Sequence, residues 1–146
     1  MNIIVKQVDY GHHQDAIQLI RTQVFVQEQS VPEALEYDDR DPLCCHVLAL
    51  EGDRAIATGR LDLEKDGKIG RVSVLAEQRG KGVGEQVMQS LQRIARRAGL
   101  KQVRLNAQVS ALPFYLRLGY QPCGERFMEA GIPHQAMLLA LDAAKH

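Results

Sequence analysis

The chain has 146 residues, a length typical of a single domain with one sizeable core, so we expect residues 1–146 to form one domain. Hydrophobic residues make up 45% of the sequence, but no apolar stretch approaches the roughly 20 residues that a transmembrane helix needs, which argues against a membrane protein. The 18 basic and 18 acidic side chains cancel, so no overall charge attracts nucleic acid or an anionic membrane.

The cysteines and the N-terminus indicate a cytoplasmic protein. Cys44, Cys45 and Cys123 form neither an even disulfide framework nor a metal-ligand spacing such as C-x-x-C, so we expect reduced thiols and no metal site. The apolar run at residues 3–5 is too short for the hydrophobic region of a signal peptide, so no export is implied.

Strand and helix patterns alternate along the chain. The predicted strands are residues 2–8, 46–50, 55–63, 68–75, 101–107 and 135–141, and the predicted helices are residues 12–27, 83–98 and 112–118. Asp66 and Gly67 predict a tight hairpin turn between two of the strands. Gly99 is placed to cap the second helix. Strands interleaved with helices and hairpins predict a mixed α/β sheet.

The most informative segment, residues 78–84, lies between a predicted strand and the second helix. Gly80, Gly82 and Gly84 let the backbone turn sharply and approach a ligand closely. The helix that follows adds unpaired first-turn N–H groups and the positive end of its dipole, while Arg79 and Lys81 add full charge. These features predict a phosphate-binding turn, although a glycine-rich strand-to-helix turn without a ligand has the same composition.

Three phosphate-binding motifs can be compared with this segment. A Rossmann site needs G-x-G-x-x-G, whereas Glu85 stands where the last glycine should fall, and the P-loop string is absent. Arg79, Gly82 and Gly84 do fit the pattern R-x-x-G-x-G. The segment therefore resembles the pyrophosphate loop of the GNAT superfamily, the acyl-CoA-dependent N-acyltransferases.

A second motif agrees with the first. Phe114, Tyr115, Gly119 and Tyr120 follow the pattern F-Y-x-x-x-G-[FY], which resembles the element after the fifth strand of GNAT proteins. The resemblance implies that Tyr115 is the general acid that protonates the departing CoA thiolate and that Phe114 packs near the cofactor. A phenol, with an ordinary pKa of about 10, is protonated at neutral pH and can donate this proton. A buried tyrosine bonded to the backbone is the alternative.

Residues 21–32, together with Glu36, Asp38 and Asp41, narrow the resemblance to the ElaA/YjcF-like branch of the superfamily, and the likeness extends over almost the whole chain. It implies a GNAT-like α/β fold: a mixed, mostly antiparallel sheet with a splayed central strand pair, flanked by helices. It also implies a set of residues that bind acetyl-CoA. These are Val72, Ser73 and Val74 on a bulged strand, Arg79, Gly80, Lys81, Gly82, Val83 and Gly84 in the turn, and Asn106 and Phe114.

The segment from residue 28 to residue 41 holds six acids against one base, Arg40. One hypothesis is that this acidic rim attracts a cationic amine and that a member such as Glu36 accepts its proton. A solvated acidic surface is the alternative interpretation. The amine must be neutral to attack, so some base is needed, and the sequence leaves five candidates open: Glu28, Glu36, His46, Glu129 and His134.

The sequence therefore predicts an N-acetyltransferase that moves an acetyl group from acetyl-CoA to a primary amine by direct transfer in a ternary complex. No cysteine motif supports a covalent acyl-enzyme. A non-catalytic acyl-CoA-binding sensor and a nucleotide-phosphate binder are the alternatives. Exposed strand edges also make a homodimer plausible.

Overall fold

The computed structural model describes residues 2–32, 36 and 38–141. Its strands are β1 (Ile3–Val8), β2 (Cys45–Glu51), β3 (Arg54–Asp62), β4 (Lys68–Val74), β5 (Gln102–Gln108), β6 (Gln121–Pro122), β7 (Phe127–Glu129) and β8 (Ile132–Ala140). Its helices are α1 (Tyr10–Arg21), a π-helix (Thr22–Glu28), α2 (Val83–Arg97) and α3 (Leu112–Arg117), with 3₁₀ turns at Asp41–Leu43, Leu63–Lys65, Ala76–Gln78 and Val109–Ala111.

The strands form one sheet in the order β1-β2-β3-β4-β5-β8-β6, and β7 pairs with the first residues of β8, from Ile132 to His134. Neighbouring strands are antiparallel except β4 and β5, which run parallel. That parallel ladder joins only Lys68 to Arg104 and Ile69 to Leu105, after which the two strands diverge. The mixed, mostly antiparallel sheet with a splayed central pair is therefore confirmed.

A β-bulge bends β4 just beyond the end of its parallel ladder. Thr58 pairs with Ser73 but Arg60 pairs with Gly70, so β4 carries an extra residue opposite β3. Arg71, inside the bulge, has a φ of 53°, in the left-handed region that a non-glycine residue seldom adopts. A bulge increases local twist and turns the strand away from its neighbour. The bulge thus helps to open the sheet between β4 and β5.

Helix α2 packs its apolar face on the sheet and positions the glycine turn. Its fully buried residues include Val87 and Leu91, and a Cβ at Gly59 of β3 would lie 2.9 Å from both side chains. Gly59 thus permits close helix–sheet packing. The helix ends as predicted: Gly99 has a φ of 85°, its N–H bonds to the carbonyl of Arg96, and the next N–H bonds to the carbonyl of Ala95.

The predicted first helix was wrong at both ends. Asp9 is its N-cap and accepts a hydrogen bond from the His12 amide at 3.1 Å, so α1 begins at Tyr10. After Arg21 the chain continues as a π-helix rather than as α-helix. A π-helix is rare and commonly occurs at functional sites, and this one lies against the opening of the sheet.

One turn prediction and one strand boundary also need correction. Asp66 and Gly67 both have positive φ, but the turn is not a two-residue hairpin: β3 and β4 pair last at Asp62 and Lys68, and the 3₁₀ turn lies between them. The last strand begins at Ile132 rather than at residue 135, because it first pairs with β7, a strand that was not predicted. The other predicted strands and helices agree with the structure to within about one residue at each end.

Candidate active site

A cavity of about 1130 Å³ lies where β4 and β5 diverge. Its wall is formed by the π-helix, the bulged end of β4, the glycine turn, the start of α2, β5, α3 and the hairpin of β7 and β8. The cavity therefore contacts both segments that carried the family resemblance in the sequence. Of the predicted site residues, all but Ser73 and Lys81 lie in the wall.

The glycine turn presents bare backbone to the cavity. Gly80 and Gly82 both have a φ of 79°, and a Cβ at either position would meet no atom within 4 Å. A side chain there would instead occupy the space that a ligand could use. Gly82 is the N-cap of α2 and forms no side-chain cap bond, so the first-turn amides of the helix have no partner within it. An anion at this turn would meet directed N–H donors and the positive end of the helix dipole.

The two basic residues of the turn differ in position. Arg79 donates from Nε to the carbonyl of Val74 at 3.0 Å and pairs through both terminal nitrogens with the carboxylate of Glu28, one of them at 2.8 Å. The hydrogen bond from Arg79 lowers the pKa of Glu28. Lys81 is exposed and lies outside the cavity wall. Arg79 is thus fixed at the cavity edge, while Lys81 is surrounded by solvent.

The bulged part of β4 contributes backbone as well as side chains. Val72 and Val74 line the cavity, whereas Ser73 faces the other side, is 1% exposed and donates its hydroxyl to the carbonyl of Arg71. Beyond Ile69, β4 has no ladder with β5, so its backbone groups on that side border the cleft. Ser73 could therefore reach a ligand in the cleft through its backbone but not through its side chain.

Tyr115 lies on α3 in the cavity wall. Its ring packs edge-on against Phe114 at 4.9 Å and Tyr120 at 5.8 Å between centroids. Within the described part of the chain its hydroxyl has no hydrogen-bond partner, unlike that of Tyr120, which donates to Oε1 of Gln92 at 2.9 Å. Burial raises the pKa of Tyr115 to about 12, so the phenol keeps its proton at neutral pH.

Phe114 and Asn106 occupy the places that the sequence predicted for them. A Cβ on Gly84 would lie 3.3 Å from Cζ of Phe114, so the ring packs closely on the start of α2. Asn106 lies on β5 with its side chain in the cavity wall. On the same face, Gln108 donates to Oε1 of Gln29 at 2.7 Å and so joins β5 to the segment after the π-helix.

Glu36 also borders the cavity, but its carboxylate is held by arginine. Arg21, which is fully buried, donates from Nε to Oε1 of Glu36 at 2.6 Å and from Nη1 to Oδ1 of Asp41 at 2.8 Å. Arg71 adds a longer contact of 3.4 Å to Glu36. Burial raises the pKa of Glu36 despite these bonds, whereas Arg21 holds the pKa of the equally buried Asp41 below its usual value.

The acidic segment is therefore largely neutralised by arginines from other elements. Asp38 pairs with Arg60 at 2.8 Å in a two-bond contact, which holds the pKa of Asp38 well below its usual range. Glu28 is paired with Arg79. Of the six acids, Glu33 lies outside the described residues. These pairings favour a structural role for Glu36, and its role as a base stays a prediction.

The comparison with known proteins agrees with this geometry. Residues 9–141 match the family model described as an acetyltransferase (GNAT) domain. The chain belongs to the GNAT acetyltransferase family. Its relatives include the uncharacterized N-acetyltransferase YjcF of Bacillus subtilis, 37% identical over 82% of this chain and 86% of that protein, and the protein ElaA of Escherichia coli, 36% identical over 84% of each. The predicted ElaA/YjcF-like branch is thereby confirmed.

Solved structures of GNAT proteins match the fold. A crystal structure of an acyl-CoA N-acyltransferase from Pseudomonas aeruginosa has a TM-score of 0.85 and 30% identity, and covers 95% of this chain and all of the other. The crystal structure of Escherichia coli ElaA has a TM-score of 0.82 and 30% identity, and covers 94% and 99%. Membership of this family makes the chain an acyltransferase.

Two of the five candidate bases line this GNAT cavity without a bond to an arginine among the described residues. Glu28 and Glu36 are bonded to arginines, as described above. His46 lies outside the wall: its Nε2 contacts the carbonyl of Asp41 at 2.7 Å, its ring stacks on Tyr10 at 4.6 Å, and burial lowers its pKa. His134 and Glu129 both line the cavity.

The apolar part of the cavity wall was not predicted from the sequence. Val24 and Phe25 of the π-helix and the nearby Val31 line the cavity. Val24 and Phe25 contributed only to the apolar spacing that predicted the helix at residues 12–27, and Val31 only to the family resemblance of residues 21–32, so neither pattern indicated a place in a cavity wall. Among the described residues, no helix is long and apolar enough to cross a membrane, and no group of His, Cys, Asp and Glu could hold a metal ion.

Proposed function

We propose that this GNAT protein transfers an acetyl group from acetyl-CoA to a primary amine, directly, in a ternary complex in the cytoplasm. One observation carries the proposal. A single cavity between splayed strands contacts both an uncapped helix N-terminus with a bare glycine turn and a tyrosine hydroxyl that holds its proton. Anion capture and proton donation at one site are the two tasks that amine acylation by a CoA thioester requires.

The turn fits the pyrophosphate of CoA. Gly80 and Gly82 leave open the space that side chains would fill, and the amides from Gly80 to Gly84 supply donors. Lys81, exposed beside the turn, adds charge for the phosphates, and Arg79 can reach them by exchanging its carboxylate partner Glu28. The Pseudomonas aeruginosa relative is named an acyl-CoA N-acyltransferase, which supports a CoA thioester as the donor.

The strand beside the turn orients the reacting group. Acetyl-CoA supplies the activated thioester. Backbone groups of Val72, Ser73 and Val74 on the free side of β4 bind the pantetheine arm, and an N–H among them stabilises the charge that develops on the carbonyl oxygen. Asn106 contributes a polar contact from the opposite strand, and Phe114 packs against the cofactor.

Tyr115 donates its hydroxyl proton to the departing sulfur. Its hydroxyl is free to do so because none of the described residues competes for it. Direct transfer is supported by the cysteines: Cys44, Cys45 and Cys123 are free thiols, and none of the three lines the cavity. Burial raises the pKa of Cys44 to about 12, which disfavours the thiolate that an acyl-cysteine route would need.

The proposal is tested by incubating the protein with acetyl-CoA and each of a panel of primary amines. The release of free thiol measures transfer. We expect at least one amine to support turnover, and Tyr115→Phe to lower kcat by about 100-fold or more while acetyl-CoA still raises Tm as in wild type. Tyr10→Phe is the matched control, because Tyr10 lies on α1 outside this cavity. Acetyl-CoA binding without thiol release from any amine would instead indicate a sensor, and equal protection by ATP or NAD would indicate a nucleotide binder.

A further inference from the structure

His134 and Glu129 form a titratable pair in the cavity wall that the proposed function leaves without a task. They lie on the hairpin of β7 and β8, where Glu129 pairs with Ile132 and His134 pairs with Phe127. Residues two apart on a strand, and residues directly opposite, share one face of a sheet. Both side chains therefore lie on the face of the hairpin that borders the cavity.

The backbone determines which ring nitrogen of His134 is available. Nδ1 lies 2.7 Å from the carbonyl oxygen of Ile132, which can only accept a hydrogen bond. Nδ1 must therefore carry the hydrogen, and in the neutral ring the lone pair is on Nε2. The ring stacks on Phe127 at 5.9 Å between centroids, and the residue is only 6% exposed. Its orientation is thus set by a hydrogen bond and by packing.

The free nitrogen faces a carboxylate. Oε2 of Glu129 lies 3.6 Å from Nε2 of His134, with Glu129 half exposed at the cavity edge. A neutral ring gains little from this neighbour, but a ring that has taken a proton on Nε2 gains an ion pair. An acceptor nitrogen backed by a group that stabilises its protonated form is the arrangement of a general base.

The position of His134 relative to the sheet is also suitable. It is paired with Gln108 on β5, two residues after Asn106 and on the same face. This is the strand that separates from β4 to open the cleft, and it leads into the segment that carries Tyr115. The histidine therefore lies on the β5 side of the cleft, whereas the glycine turn follows β4.

We propose that His134 is the general base for the acceptor amine and that Glu129 stabilises its protonated form; this inference rests on the proposed function. Nε2 takes one proton from the ammonium form of the acceptor. The neutral nitrogen then forms the new C–N bond as the C–S bond breaks, and the sulfur takes the proton of Tyr115. The nitrogen loses a second proton, which restores the phenol through solvent, so that one net proton leaves by way of His134.

The ring tautomer gives a test that needs no turnover. In wild-type protein labelled with ¹⁵N-histidine, NMR should show the His134 ring, when neutral, with hydrogen on Nδ1 and none on Nε2. A neutral ring with hydrogen on Nε2 would overturn the inference, because Nε2 would then have no lone pair with which to accept a proton. This measurement holds even if every His134 variant is unstable.

Kinetics give the second test. With an amine that the panel identifies, His134→Gln should lower kcat/KM for the amine about 100-fold and leave the Tm increase with acetyl-CoA unchanged. Glu129→Gln should lower it by a smaller factor, and added imidazole should restore part of the activity of His134→Ala. The control is His12→Gln, an exposed histidine on α1.

The outcomes separate the two proposals. If the wild-type protein is active and His134→Gln is equally active, or if imidazole does not rescue His134→Ala, then His134 is not the base, and the proposed acetyltransferase function is unaffected. A wild-type protein inactive with every amine would overturn the proposed function itself, and the base with it.

Discussion

Replacing Arg21 by methionine tests whether the buried charge cluster is a structural support of the site. The substitution keeps a long side chain but removes the guanidinium that lies between Glu36 and Asp41. The side chains of all three residues are at most 3% exposed, so water cannot take the place of the lost partner. Both carboxylates would then remain buried with one cation fewer to neutralise them.

The structure sets the expected magnitude. Removing one partner of a buried ion pair costs about 3–5 kcal/mol, since it leaves an uncompensated charge. Here the cost should fall near the lower end, because Arg60 still reaches Asp41 at 2.6 Å and Arg71 lies 3.4 Å from Glu36. We expect a loss of about 3 kcal/mol in the free energy of unfolding, or roughly 6–12 °C in Tm for a chain of this size.

Urea unfolding of wild type and variant measures this loss, with an unchanged m-value as evidence that the same surface is exposed. The matched control is Arg54→Met, because Arg54 pairs with Glu77 where both side chains are more than half exposed. Exposed pairs contribute at most about 1 kcal/mol. If Arg21→Met lowered the free energy of unfolding by no more than Arg54→Met, the buried cluster would not stabilise the fold. A role for Glu36 as the base for the acceptor amine would then be favoured again.

Three further predictions follow from local geometry. Gly84→Ala should displace the ring of Phe114, which lies 3.3 Å from the added Cβ, and raise the Kd for CoA about tenfold by calorimetry, or about 1.4 kcal/mol; an unchanged Kd would show that the contact is unimportant. Ala130→Gly should stabilise the protein by about 1 kcal/mol in urea, because Ala130 has a φ of 52°; a loss of stability would contradict the strain argument. Because its arginine partner lowers the pKa of Asp38 in the folded state, the stability it contributes is present above its ordinary pKa of 3.8 and is lost as pH falls below that value. Asp38→Asn should therefore be less stable than wild type at neutral pH and should lose less stability below about pH 4. If the free energy of unfolding of the two proteins changed in parallel with pH, the pair of Asp38 and Arg60 would not be the cause of the acid sensitivity.

The features that the sequence predicted well are those that depend on neighbours along the chain. The helix α2 was recognised by its apolar face and its glycine cap, both of which are set within a few residues. The glycine turn was recognised because only glycine accepts the φ of Gly80 and Gly82 without strain. Fold class followed from the family resemblance carried by this turn and by the segment around Tyr115.

Of the features that could not be predicted from the sequence, the pairing of the acidic segment depends on contacts between distant segments, whereas the last hairpin depends on its own turn. The acidic segment looked like a cationic-amine attractor because its arginine partners come from elsewhere: Arg21 precedes Glu36 by 15 residues, and Arg60 follows Asp38 by 22. The hairpin of β7 and β8 was missed for a local reason, since Ala130 occupies a left-handed turn position where asparagine, aspartate or glycine is the usual signal.

The π-helix connects these observations, because it binds together the two sides of the open cleft. Separating β4 from β5 removes the ladder hydrogen bonds that would follow Ile69. Side chains at the end of the π-helix offset part of this loss: Glu28 bonds to Arg79, beyond the end of β4, while the next residue, Gln29, bonds to Gln108 at the end of β5. Glu28 thus contacts the β4 side of the cleft and Gln29 the β5 side. A phosphate that draws Arg79 away from Glu28 would therefore loosen only the contact on the β4 side, and the contact with Gln108 of β5, which pairs with His134 of β8, would keep its geometry.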